Sequence, residues 1–288
     1  MEQKQYEKRG YLNEAFKVFY LEDLVSKEIE YHYHDFDKIL VFFKGNIEYT
    51  IEGKSYTLIP NDIILVPQGA SHKVRPLTES LDNSTEYFRL VIYISPRYLI
   101  GAEENGKNLR NCFLQVTDRY SNVIRLKGNG ESGLITLAKQ LRESVLQRNT
   151  QLWDGLYQNA LLQQFMILLN RKMMDDSLYF VDTGRCNRKI VEIIRYINEH
   201  LIDEVSIDML AEKFYISKYH MMRQFKEETG YTIGNYINQK RLLMAREWLK
   251  KGEPVTKVYL DCGFHDHSTF VRAYKQLFGE LPSKRGIL

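Results

Sequence analysis

Two stretches bring metal-ligating side-chain types close together. Cys262-Gly-Phe-His-Asp-His267 holds a thiol and two imidazoles within six residues. Far upstream, His32 and His34 stand two apart, and His72 follows in another segment. Thiolate and imidazole both ligate transition metals, so backbone geometry has to decide which group can share an ion. If the run from Asp266 to Lys275 is helical, residues two apart point about 200° apart. His265 and His267 then share no ion unless the preceding turn stays extended. On a strand, residues two apart face the same side, so His32 and His34 stay together and His72 can complete three nitrogen ligands. Lys38 counts against a metal there, since a protonated ammonium adds charge and offers no lone pair. Metal binding, a satisfied structural role and contact with an organic ligand are the three readings of these histidines.

The elements that would carry these residues differ between the two ends of the chain. Ile47-Glu-Tyr-Thr-Ile51 alternates apolar and polar residues, and Glu52-Gly53 supplies a turn. Asp62-Ile-Ile-Leu-Val66 is a buried-type run closed by Pro67 and Gly69, and Tyr87 to Ser95 is a further strand. Short strands at this spacing predict a sandwich or barrel. Strand parity alone leaves open which face is the lumen. From about residue 130 the period changes: Leu134, Leu137, Ala138, Leu141 and Val145 share a helical face. A second helix is expected from about Trp153 to Met173, with Leu156, Ala160, Leu161, Phe165 and Leu169 inward. Asp175 to Asn187 is polar, contains Gly184 and reads as a linker.

Beyond the linker the chain reads as helical throughout. Ile190, Ile193, Ile194 and Ile197 recur at helical spacing, and Ser206 and Ser217 suit N-caps. Thr229-Gly230 suits a helix end. A longer helix from about Gly234 to Lys250 is expected to bury Ile237, Ala245, Trp248 and Leu249, with Gly252 and Pro254 stopping it. A short helix near Thr256 to Asp261 leads into the Cys262 stretch.

Composition removes several classes. The 288 residues allow about two domains, and 44% apolar with 27% charged residues is ordinary for a globular chain. The longest apolar runs, such as Leu90 to Ile94, are strand-length, well short of the roughly 18 residues of a membrane helix. The N-terminus lacks the apolar core of a signal peptide. Three distant cysteines, Cys112, Cys186 and Cys262, argue against a disulfide framework and for a reducing compartment, so a cytoplasmic protein without membrane contact is expected. From Gly184 onward, 18 Lys and Arg oppose 13 Asp and Glu, whereas the first 183 residues are slightly acidic. A mildly basic C-terminal third is compatible with nucleic acid. No Gly-rich phosphate loop, no Ser/His/Asp arrangement and no zinc-finger cysteine cluster is present, so no enzyme is expected.

An internal repeat sharpens this. Leu210-Ala-Glu-Lys-Phe-Tyr-Ile-Ser-Lys-Tyr-His-Met-Met-Arg-Gln-Phe-Lys226, ending at Gly230, parallels Val258-Tyr-Leu-Asp-Cys-Gly-Phe-His-Asp-His-Ser-Thr-Phe-Val-Arg-Ala-Tyr-Lys275, ending at Gly279. Each predicts a short helix, a tight turn and a second helix carrying Arg-x-aromatic-Lys: a helix-turn-helix, twice. Such helices fit the DNA major groove, and two of them one helical turn apart, roughly 34 Å, would span ~17–20 base pairs.

These residues resemble the DNA-binding domain of the AraC/XylS transcription regulators. The matching positions are the Ala211-to-Ser217 turn, Arg223-x-Phe225-Lys226, Thr229-Gly230, Arg241-x-x-x-Ala245, Cys262-Gly263-Phe264, Arg272-x-Tyr274-Lys275, Phe278-Gly279 and Pro282. Tyr259 departs from the family's usual Ala, His265 from its usual Ser cap with Asp266 sharing the capping, and Lys284-Arg285 from its closing Tyr-Arg pair. Tyr31-His32-Tyr33-His34 through Lys38 and Gly45, then Asn61 through Pro67-x-Gly69-x-x-His72, resemble the two cupin motifs. Lys38 stands where metal-binding cupins have Glu, and Asn61 replaces a Gly.

The resemblance implies an α+β multidomain chain. Residues 1–125 would form a cupin-like β-barrel, 126–174 a helical dimerisation segment, 175–187 a linker, and 188–288 an all-α double helix-turn-helix domain. It implies DNA contacts at Lys218, Tyr219, Met222, Arg223 and Lys226 in the first reading helix. In the second they are His267, Ser268, Val271, Arg272 and Lys275. Arg223 and Arg272 are the best candidates for guanine, and the lysines for phosphates. It further implies effector contacts at His32, His34, Lys38, Tyr49 and His72, with Tyr33, Phe42 and Glu48 as further candidates, and no metal or other cofactor. The expected function is a sequence-specific transcription regulator, an activator in the commoner mode. Its partners would be double-stranded DNA, a small-molecule effector such as a sugar, a second copy of the chain and RNA polymerase. The alternatives are a regulator without an effector and a metal-dependent cupin enzyme fused to a DNA-binding domain.

Overall fold

The computed structural model describes residues 12, 14–77, 84–127, 133–147, 152–175, 177–183 and 185–283. The chain divides into two units, Met1–Cys186 and Asn187–Leu288. The first begins with strands β1 (Phe16–Val25), β2 (Ile29–His32), β3 (Asp37–Gly45), β4 (Ile47–Ile51), β5 (Lys54–Thr57), β6 (Ile63–Val66), β7 (His72–Pro76) and β8 (Thr85–Ile94). Helix α1 (Pro96–Ile100), the small ribbon β9 (Glu103–Glu104) and β10 (Lys107–Asn108), α2 (Asn111–Asp118), β11 (Val123–Leu126), α3 (Gly133–Leu146) and α4 (Asp154–Met174) follow. Two short strands, β12 (Leu178–Phe180) and β13 (Arg185–Cys186), complete the unit.

All strand pairs are antiparallel. One sheet runs β1-β8-β3-β6-β11-β12 and the other β13-β5-β4-β7-β2. The central strands of the six-stranded sheet are buried on both faces, and alternation sorts their side chains. Ile39, Val41, Ile63, Leu65, Leu90 and Ile92 pack against α2, α3 and α4. Leu40, Phe42, Ile64, Val66, Val91 and Tyr93 pack against Ile47, Tyr49, Ile51 and Val74 of the five-stranded sheet. That double burial explains the continuous apolar run at Ile63–Val66. It also settles which residues face the lumen: even numbers on β3, odd numbers on β4 and β8.

Two expectations change. Asp175 to Asn187 is not a free linker, since β12 pairs with β11 and β13 with β5, adding an edge strand to each sheet. The apolar trio Leu178-Tyr-Phe180 supplies the cause, with Leu178 buried in the helix-side core. On α4, Leu161, Phe165 and Leu169 are buried as the period requires, but Ala160 is exposed and Leu156 is 62% exposed. It belongs to an exposed apolar group with Trp153, Tyr157 and Ile167.

The second unit contains α5 (Arg188–Glu199), α6 (Ile207–Lys213), α7 (Lys218–Thr229), α8 (Ile233–Lys250), α9 (Val255–Asp261) and α10 (His267–Phe278). The α6–α7 pair packs on the isoleucine face of α5 and on Ile233, Tyr236 and Ile237 of α8. The second pair is held by an aromatic row, with Phe264–Phe270, Phe270–Tyr274 and Tyr274–Phe278 ring centroids 5.2, 5.7 and 4.5 Å apart. Arg246 of α8 stacks over Phe278. The 18 residues of α8 give a spacer about 27 Å long. Its Ala245 is buried as expected, whereas Trp248 and Leu249 are only half-buried.

The two helix-turn-helix units superimpose in hydrogen bonding up to their turns. Tyr215 N–H donates to Glu212 O and Ile216 N–H to Ala211 O, just as Gly263 N–H donates to Leu260 O and Phe264 N–H to Tyr259 O. After that the second turn holds one extra residue, His265. The cap therefore falls to Asp266, whose carboxylate accepts from Thr269 N–H at 2.6 Å, as Ser217 Oγ accepts from His220 N–H. Lys284 and Arg285 lie outside the described residues.

Arg241 of α8 ties this turn in place. Its guanidinium donates to Leu201 O, Asp203 O and Gly263 O, each at 2.7 Å. Gly263 has φ +82°, and a Cβ there would meet Arg241 Cζ and Ile202 O at 2.9 Å. Gly263→Ala should therefore destabilise the second unit by more than about 1–2 kcal/mol, read as a lower urea midpoint. The equivalent first-turn residue, Tyr215, holds φ 49° and is 91% exposed, so Tyr215→Gly should leave that midpoint unchanged or raise it.

Candidate functional site

In the second unit the structure presents two equivalent helix faces. Lys218, Tyr219, Met222, Arg223 and Lys226 are all exposed along one side of α7. His267, Ser268, Val271, Arg272 and Lys275 hold the matching positions on α10, forty-nine residues later in every case. Val271 is half-buried beside the aromatic row, so it has less free surface than its counterpart Met222. The opposite faces carry the core: Met221, Phe225 and Thr229 on α7, Phe270, Tyr274 and Phe278 on α10. Each helix starts with a capped N-terminus on the exposed side, where base edges are reached in the major groove.

The charges on these faces are held lightly. Lys218 pairs with Asp208 at 2.8 Å and Arg223 with Glu227 at 3.9 Å, both across exposed side chains. Exposed pairs of this kind contribute little, so neither cation is firmly held by its carboxylate. Tyr215, 91% exposed in the first turn, joins this surface and was not expected from sequence. An aromatic between Phe214 and Ile216 reads as core until the turn geometry is known.

The Cys262 stretch does not form a ligand cluster. Cys262 is buried, and burial pushes its thiol up to about 12, so it stays protonated. His265 and His267 are exposed, and His267 packs edge-on against Tyr259.

In the first unit the structure does bring the expected residues together. His32, His34 and His72 are buried, with ligand atoms within 4.8 Å of one another. Their rings contact at centroid distances of 4.2 to 5.1 Å. Lys38, 3% exposed, donates to Tyr49 Oη at 3.1 Å and lies 3.4 Å from His72 Nε2. His72 Nδ1 lies 3.0 Å from Ala70 O, and a carbonyl only accepts, so Nδ1 carries the proton and Nε2 faces the ammonium as an acceptor. His32 Nδ1 likewise donates to Glu30 O at 2.9 Å. Both ring nitrogens of His34 are buried without a hydrogen-bond partner, and the ring stacks on Phe36.

Other expected contacts lie elsewhere. Phe42 is buried in the inter-sheet core. Glu48 has outward parity and pairs with Arg75 at 2.8 Å. Tyr33 is half-buried between the two inward histidines. Arg89 and Tyr87 of β8, which sequence reasoning missed, line the same pocket as His32 and Lys38. Only the parity of β8 could have revealed them.

Three imidazoles this close are a donor set for a transition metal. The Lys38 ammonium against His72 Nε2 sets a positive charge at that place, and the set as a whole does not fit a dication.

Family models agree with these two units. An AraC-like ligand binding domain model matches residues 22–166, and a helix-turn-helix domain model matches residues 210–285. The chain belongs to the AraC family. It is a DNA-binding transcription regulator with an N-terminal ligand-binding domain. Among its relatives, the transcriptional activator RhaS of Escherichia coli is 27% identical over 261 residues, covering 87% of this chain and 85% of that protein. Among solved structures, ToxT from Vibrio cholerae is 15% identical over 93% of this chain and 96% of its own, with a TM-score of 0.37. The DNA-binding domain of AdpA in complex with a target DNA is 25% identical over 32% of this chain and 83% of its own, with a TM-score of 0.31.

The buried histidines give this AraC-family regulator a pH signature. Burial first, then the Lys38 charge and the neighbouring imidazole of His32, hold His34 well below its usual range. The same causes, with His34 added, lower His72. In the unfolded chain both titrate near 6.5. Their lowered folded values favour the native state above that pH and oppose it as pH falls through the window below. Each should remove up to about 1.4 kcal/mol per pH unit. The first unit's unfolding midpoint should therefore drop between pH 7.5 and 5.5 in calorimetry, and His34→Gln should flatten that slope.

Proposed function

We propose that this chain is a sequence-specific activator of transcription in the cytoplasm, controlled by a small molecule held in the lumen of its first unit. The observation that carries this reading is the pair of register-equivalent, exposed helix faces joined by α8. Arg223 and Arg272 read guanine through O6 and N7, and Lys218, Lys226 and Lys275 meet phosphates. His32, His34, Lys38, Tyr49 and His72 form the effector contacts. The relative RhaS, named as an activator, supports the positive sign of control, which requires contact with RNA polymerase. No helix among the described residues is long and apolar enough to cross a membrane. The Lys38 ammonium disfavours a metal-dependent enzyme in the lumen. Effector binding regulates only through a difference in affinity between two states of the regulator.

Residues 1–125 and the later edge strands serve as the sensor, 126–174 as the surface for a second copy, and 188–288 as the reader. Trp153, Leu156, Tyr157 and Ile167 supply an exposed apolar face on and beside α4, suited to pairing with its own copy.

Two experiments test this. In selection from a random DNA library, Arg272→Ala should cost about 1–3 kcal/mol and relax base preference within one half-site only. An unchanged binding-site logo would remove Arg272 from base readout. In sedimentation at micromolar concentration the chain should run as a dimer and Leu156→Glu as a monomer. A wild-type monomer with and without DNA would refute the paired assembly.

A further inference from the structure

The turn between α6 and α7 carries a side chain that the fold itself does not use. Tyr215 is 91% exposed, more than any other large apolar or aromatic side chain among the described residues. Within those residues its ring packs on no other ring or cation, and its hydroxyl has no hydrogen-bond partner. The backbone there holds φ 49°, a left-handed conformation that strains a side-chain-bearing residue and suits glycine. Strain kept in a turn with no packing to offset it points to a use outside the folded chain.

The other turn shows what the fold alone asks for. Its equivalent residue is Gly263, where a Cβ would meet Arg241 Cζ and Ile202 O at 2.9 Å. A tyrosine has no room at that place, whereas the turn before α7 projects one into solvent.

The surroundings of Tyr215 are basic. Lys189 of α5 donates to Tyr215 O at 3.4 Å, a long bond between exposed groups. Lys189 has no carboxylate partner among the described residues, so its ammonium is placed beside the turn with its charge available. Two residues after Tyr215 comes Ser217, the cap of α7, followed by Lys218. Two residues of chain reach at most roughly 7 Å, so Tyr215 stands beside the N-terminal end of α7. At the edge of a groove that end would meet the phosphates and sugars of one strand. Tyrosine hydroxyls donate to phosphate oxygens, and such contacts set register without choosing a base.

We propose that Tyr215 and Lys189 clamp the DNA backbone at the edge of the groove that α7 enters. The Tyr215 hydroxyl donates to a phosphate oxygen, and the Lys189 ammonium supplies the positive charge beside it. The proposal rests on the reading of α7 as a DNA-facing helix. It makes Tyr215 a positioning residue for Tyr219, Met222 and Arg223, and α10, preceded by Gly263, has no counterpart.

The test uses the full-length chain on a DNA site selected from a random library by the wild type. Tyr215→Phe, which removes only the hydroxyl, should weaken binding about fivefold, and Tyr215→Gly about tenfold. The urea midpoint of Tyr215→Gly should stay unchanged or rise, so stability and affinity move apart. The selected base preferences of both variants should match the wild type. Lys189→Gln should reduce the slope of log affinity against log salt by about 1. Neutral methylphosphonates placed one at a time along the site should reveal one phosphate whose neutralisation weakens the wild type but not Tyr215→Gly. Undiminished affinity of Tyr215→Gly, or the same methylphosphonate profile for it and the wild type, overturns the clamp. Altered base preference at one position would instead make Tyr215 a base reader and removes the phosphate assignment. Arg223→Ala separates the two levels. If it weakens binding while Tyr215→Gly does not, only the clamp falls, and if neither does, the DNA-facing reading of α7 falls with it.

Discussion

A sheet buried on both faces leaves no strand position free to point into water. In the first unit that constraint sorts the residues of β6 and of the buried stretches of β3 (Asp37–Phe42) and β8 (Arg89–Ile94) between a helix-side core and the lumen. Ile39 and Val41 go one way, Leu40 and Phe42 the other. Polar residues on these strands must then be satisfied inside the protein. Asp37 emerges on the helix side of β3 and takes Arg110, and Asp62, just before β6, takes Arg125, each at 2.7 Å. Lys38, one residue further on, has to face the lumen. The charge in the lumen thus follows from parity, and the histidines of β2 and β7 lie beside an ammonium whose position the sheet dictates.

The second unit is governed by a smaller device. Arg241 spends its guanidinium on three backbone carbonyls, two at the end of α5 and one in the second turn. Burial lowers its pKa, yet the charge is retained because the carbonyls take the place of water. One side chain from the spacer helix therefore fixes where the second reader sits relative to the first half of the domain. Gly263 is bound into the same arrangement, since any side chain there would strike Arg241.

Much of this was legible in the sequence, for physical reasons that can be named. The helix ends of the second unit follow from side chains that cap them: Ser206, Ser217, Asp266 and the glycines at 230 and 279. The core of α5 follows from four isoleucines at helical spacing. What could not be read were features set by tertiary contact. Leu156 satisfies the periodicity of a buried face but lies outside the area α3 and the sheet cover. The strand at Leu178–Phe180 is three residues long and gains its structure from an edge partner, not from its own pattern. In the site, the cupin-like spacing named His32, His34, Lys38 and His72, because motif and strand period both point there. Arg89 and Tyr215 escaped, one needing the parity of β8 and the other a left-handed turn in a residue that local sequence assigns to the core.

The extra residue in the second turn, His265, has a consequence of its own. It makes the two readers similar but not interchangeable, and their faces differ too: Lys-Tyr-Met-Arg-Lys on α7 against His-Ser-Val-Arg-Lys on α10. A single chain laid along DNA cannot be turned end for end and make the same contacts. If both faces read DNA, the segment they read has a heading, and reversing that segment in front of a gene turns the bound regulator around with it.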